Sequence, residues 1–90
     1  MDREMYSSML DGLERFWGSA PDFIKEHTKW PVEDEVVFLG DYHVSRDQMR
    51  HVIEAEGAGG LTAEQSRRLA RVKQLRERYE PDVLRIRAQG

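Results

Sequence analysis

Apolar side chains recur along this chain at two different spacings, and the change of spacing divides it. Met5, Tyr6, Met9, Leu10, Leu13, Phe16 and Trp17 follow the i, i+3, i+4, i+7 rhythm of one helical face. Asp2, Arg3, Glu4, Asp11, Glu14 and Arg15 fall mostly on the other side, which predicts a helix over about residues 2–17 with Gly18 as its carboxyl-terminal cap. Ser19, Pro21 and Asp22 form a start signal for a second helix, with Phe23, Ile24 and His27 on one face and a stop near Lys29, before Trp30-Pro31.

From Glu35 the rhythm shortens and becomes β-branched. Val36-Val37-Phe38-Leu39, Gly40-Asp41 and Tyr42-His43-Val44 read as two strands joined by a two-residue turn. Leu39 would pair with Tyr42 and Val37 with Val44 on an apolar face, and Phe38 with His43 on the other. Such a ribbon must pack on helices, because two strands alone are marginal. Ser45 with Gln48 is a capping box for a third, short helix carrying Met49, Val52 and Ile53, which frays near Glu56 and is stopped by Gly57-Ala58-Gly59-Gly60. Thr62 with Gln65 repeats the box and opens a long helix with Leu69, Val72, Leu75 and Tyr79 on one stripe, reaching about Tyr79 or Glu80. Residues 82–88 stay open between helix and strand, since Leu84-Arg85-Ile86-Arg87-Ala88 alternates with period two after a proline that suits a helical first turn. The expectation is an α+β fold, mainly helical, of about four helices and one central β-hairpin. Leu10, Leu13, Phe16, Trp17, Leu69, Val72 and Leu75 should supply most of its core.

Ninety residues make this a single domain with one limited core. The charge is uneven: residues 1–60 hold six Lys/Arg against thirteen Asp/Glu, while residues 61–90 hold eight against four. The domain thus divides into an acidic part, 1–56, a glycine-rich linker, 57–61, and a basic carboxyl-terminal helix and tail, 62–90. Either the two halves attract each other or each meets its own partner. The absence of cysteine excludes disulfides, thiolate metal sites and a cysteine nucleophile. The longest apolar runs fall far short of a membrane span and the amino terminus has no secretory layout, so a cytoplasmic location is expected.

No catalytic or cofactor-binding spacing emerges. The glycine run is followed by Leu61-Thr62-Ala63, without the Lys-Ser/Thr of a phosphate-binding loop. Asp47, His51 and Glu54 share a helical side, but two carboxylates and one imidazole make a thin metal set, better read as surface charge pairing. Asp41, His43 and Ser45, on one strand, would stand about 7 Å apart, too far for a proton relay. Glu33-Asp34-Glu35 reads as a solvated loop. The expected protein is therefore not an enzyme and holds no metal or cofactor.

Binding remains. The first helix is richer in large apolar residues than a covering helix needs, so Met5, Met9, Trp17 and Trp30 are candidates for a protein-docking surface or a homodimer contact. Arg67, Arg68, Arg71, Lys73 and Arg78 surround the apolar stripe of the long carboxyl-terminal helix and are candidates for phosphate contact with nucleic acid. The reading favoured by the sequence is a small protein–protein interaction module, an adaptor, regulator or inhibitor working through an apolar patch with a charged rim. A nucleic-acid-binding regulator is the alternative.

Overall fold

The computed structural model describes residues 3–89 and contains three long helices, with no strand among the described residues. Helix α1 spans Arg3–Glu26, α2 Val32–Gly57 and α3 Ala63–Gln89, and a single 3-10 turn, His27–Lys29, leads out of α1. The expected β-hairpin is absent, and the fold is an all-helical bundle rather than α+β. The bundle measures 41 × 21 × 17 Å, and its long dimension is close to the ~36 Å of a 24-residue helix.

What overrides the strand pattern is a second period in the same residues. Phe38, Tyr42, Ser45, Met49, Val52 and Ala55 are buried at spacings of three and four, and that series passes straight through Gly40-Asp41. A turn at Gly40-Asp41 would have sent Phe38 and Tyr42 to opposite faces, whereas a helix sends both to α1. There Phe38 stacks on Phe23 with centroids 3.9 Å apart and lies 4.7 Å from Phe16, and Tyr42 meets Trp17 edge-on at 6.2 Å. Tertiary packing outweighs β-propensity here, as that modest and context-dependent preference allows. Ser45 is no cap: it is buried in mid-helix, its hydroxyl donating to the Tyr42 carbonyl at 2.7 Å. Glu33, Asp34 and Glu35 form the first turn of α2, where carboxylates favour the helix dipole, and are not a loop.

Two further boundaries shift. Gly18 and Pro21 lie inside α1, which continues through them because Trp17, Ala20 and Phe23 are all buried on its inner side. Ser19 donates to the Phe16 carbonyl at 2.8 Å instead of capping a new helix. The tail resolves as helix: Val83 and Ile86, three residues apart, are both buried, so α3 runs through Pro81 to Gln89.

Helix α1 is the spine, burying Leu10, Leu13, Phe16, Trp17, Ala20 and Phe23 against both other helices. From α3, Leu69, Val72, Val83 and Ile86 complete the core, with Leu75 and Tyr79 packed at its edge. The Trp17 indole N–H finds no acceptor among the described residues.

Direction is set by polar contacts. Thr62 and Gln65 make the expected capping box: the Thr62 N–H donates to Gln65 Oε1 at 2.9 Å and the Gln65 N–H to Thr62 Oγ1 at 3.1 Å. Gln65, itself buried, then donates from Nε2 to the Arg3 carbonyl at 2.8 Å and to Ser7 Oγ at 2.9 Å. Arg68, one turn on, pairs with Asp11 and Glu14. Contacts advance together along both chains, so α1 and α3 run parallel, with α2 antiparallel between them in sequence.

The linker ends α2 as its glycines require. Gly59 takes φ +75°, and the Gly60 N–H reaches back to the Ala55 carbonyl at 2.7 Å. Gly40, by contrast, is exposed in mid-helix, and a Cβ there would meet nothing within 4 Å. Gly40→Ala should therefore raise the free energy of urea unfolding by about 0.5–1 kcal/mol. Gly59→Ala should lower it by about 1–2 kcal/mol. A loss of stability in Gly40→Ala would instead match the hairpin.

Candidate docking surface

Helix α2 is apolar on two sides. Opposite its buried series, Val32, Val36, Val37 and Val44 are 72%, 63%, 62% and 54% exposed, and Gly40 completes their line at the i, i+4, i+8, i+12 positions 32, 36, 40 and 44. Scattered exposed valines need no explanation, but aligned ones on one helix face form a patch of the kind that marks an interaction site. Valine is also a modest helix former, so its use on a solvent face is not explained by propensity.

Beside this line, where α2 begins, Trp30, Asp34, Val37, Phe38 and Asp41 enclose an open notch of about 250 Å³. Trp30 is half-buried, held edge-on to Phe23 at 5.2 Å and to Phe38 at 6.1 Å. Glu33, Asp34 and Asp41 are exposed on the same half of α2. The result is an apolar strip with an acidic flank.

The residues singled out on the first helix are dispersed by the fold. Trp17 is 1% exposed and belongs to the core, Met9 packs at the core edge, and Met5 is exposed at the start of α1. Trp30 alone of the four borders the valine face. The five cations of α3 separate as well. Arg68 is committed to Asp11 and Glu14, and its hydrogen bonds to Glu14 push its pKa above the ordinary arginine value. Lys73 pairs with Glu56 at 3.3 Å. Arg67, Arg71 and Arg78 are exposed, and their spacing of four and seven residues places them on one outward line about 16 Å long.

A third feature lies between α2 and α3, a cleft of about 740 Å³. Its walls oppose Arg46, Arg50 and Arg76 to Asp47, Glu54 and Glu80, so it offers no single sign of charge to a ligand. Tyr42 at its floor donates to Glu80 Oε2 at 2.9 Å. Among the described residues no group of three or more His, Asp or Glu is arranged to hold a metal ion, Asp47, His51 and Glu54 included. Among the described residues no helix is long and apolar enough to cross a membrane.

The valine face was missed in the sequence because Val36, Val37 and Val44 were read as strand. The signal that locates it is the i, i+4 recurrence of Val32, Val36, Gly40 and Val44, visible only once α2 is known to be helical. Comparison of the chain with family models, curated proteins and solved structures finds no match.

Burial first, then the bond to Glu80 and that carboxylate's charge, push the Tyr42 phenol from 10.0 up to about 12. Between pH 10 and 12 the folded chain therefore keeps a proton that the unfolded chain has lost. The stability this residue contributes is whole below pH 10 and drains away as pH rises through that window, at up to about 1.4 kcal/mol per pH unit. Tyr42→Phe should remove this part of the alkaline slope in urea unfolding measured at pH 9–12. An unchanged slope would show that the phenol is not held neutral.

Proposed function

We propose that this protein is a non-enzymatic docking module that binds another protein through the outer face of the amino-terminal half of α2. The observation that carries this reading is the line of exposed Val32, Val36 and Val44 opposite the residues by which the same helix joins the core, with exposed Val37 beside it. None of the four is buried, so altering them leaves the core side chains in place. Helix α1 and the inner side of α2 form the support, and the acidic flank forms the rim.

The test compares capture by the wild-type protein with capture by Val36→Lys and Val44→Lys. Wild type should retain a stoichiometric partner through nuclease and moderate salt. Each variant should lose it while melting within about 3 °C of wild type, as surface substitutions do. Capture that both variants preserve would overturn the reading.

A second reading rests on the exposed line of Arg67, Arg71 and Arg78, which suits phosphate groups. Replacing the three together by Gln should then abolish duplex binding in a gel-shift assay, and wild-type affinity should fall steeply with salt, with a slope reduced by about one unit for each lost phosphate contact. Salt-independent binding, or none, would remove it.

A further inference from the structure

We infer that the occupant of the α2 face is a cationic amphipathic helix of another protein, seated with one arginine or lysine in the notch between Asp34 and Asp41. This rests on the docking reading above and names the chemistry of the partner. Residues 32–44 contain Glu33, Asp34, Glu35 and Asp41 but no lysine or arginine; Arg15 of α1 stands beside Asp41 and Val44 on the α1 side, whereas the notch at Trp30 and Val37 has carboxylates as its only charged lining.

The notch explains what that potential attracts. At about 250 Å³ and open to solvent, it lies below the ~300–1,000 Å³ of small-molecule pockets and is of the size of a single long side chain. Its apolar lining is Trp30, Val37 and Phe38, and its two charged members are both carboxylates. Lysine and arginine match this pairing, because their methylene stems cover apolar surface while the charged head stays among polar groups. The Trp30 ring adds a face for the same cation. Asp34 and Asp41, two turns apart on one side of α2, stand about 10 Å apart along the axis, which lets a head group choose either carboxylate or bridge toward both.

The valine line fixes the rest. From Val32 to Val44 it extends about 18 Å, the length of three helical turns, and fits apolar side chains repeating at i, i+3 and i+4. Gly40 lies at its middle with open space where a Cβ would stand, so a partner backbone can approach there closely. A second copy of this chain fits poorly. Face to face, it would bring together two helix segments that each carry Glu33, Asp34 and Asp41 and no lysine or arginine, and its own basic line on α3 has only Leu84 as an exposed large apolar residue among the described residues.

The experiment is selection of helix-forming 20-residue peptides, with charged and apolar positions randomised, on the immobilised full chain. Val36→Lys serves for counter-selection and circular dichroism checks each variant's fold. Enriched peptides should carry a net positive charge and an i, i+3, i+4 apolar stripe. Their affinity should fall at least about tenfold in Asp34→Asn/Asp41→Asn, because a charge-assisted contact to the cation is lost. Peptides that are lost with Val36→Lys but indifferent to the Asn pair, or that are neutral or acidic, would overturn the cationic anchor and leave the docking face standing. No enrichment, or binders indifferent to Val36→Lys, would overturn the inference. A dimer in sedimentation equilibrium that Val36→Lys dissociates would also overturn it, by making the occupant a second copy.

Discussion

The stack of Phe23 on Phe38, 3.9 Å between centroids and 14° from parallel, is the contact on which the rest of the architecture depends. It joins the end of α1 to the start of α2 across the turn that contains Trp30-Pro31, and Phe16, two turns back along α1, extends it. Aromatic pairs contribute about 0.5–1.5 kcal/mol beyond the area they bury. Two of them, both on Phe38, hold a segment of β-branched residues in helical form. Once Phe38 is seated, Tyr42, Met49 and Val52 follow in order onto the same side, and the opposite side of α2 is left to the valines.

Much of α1 and α3 was legible because each has a single apolar stripe. Leu10, Leu13, Phe16, Trp17, Leu69 and Val72 all lie in the core, and the Thr62–Gln65 box forms as its spacing requires. Helix α2 resisted reading for a physical reason: with apolar residues on both sides its helical period is blurred, and the local alternation at residues 36–44 dominates any short window. Gly18, Ser19 and Pro21 failed as boundary signals because the packing of Trp17, Ala20 and Phe23 sustains one helix through them. The charge division was partly legible. Asp11 and Glu14 with Arg68, and Glu56 with Lys73, are the attraction between halves, while Arg67, Arg71 and Arg78 stay out of it. Of the docking candidates, Trp30 borders the valine face and Trp17 does not, since a stripe of seven apolar residues shows that a helix is buried without showing which residues face outward.

The two-sidedness of α2 separates core packing from an exposed apolar surface within one element. Its inner residues are shared with α1 and respond to substitution as core; its outer valines are more than half exposed. A surface of this kind can change sequence without unfolding the domain. The acidic first turn serves both sides at once, since Glu33, Asp34 and Glu35 favour the helix dipole while setting the sign of the rim.

Gln65 joins the starts of two helices across 62 residues of sequence. Its carbonyl oxygen closes the cap of α3 while its amide nitrogen holds the start of α1, so one side chain serves two helix termini. Helix ends ordinarily fray independently. Here the first turn of α3 cannot unwind without releasing Arg3 and Ser7, and the two termini open and close as a single cooperative unit.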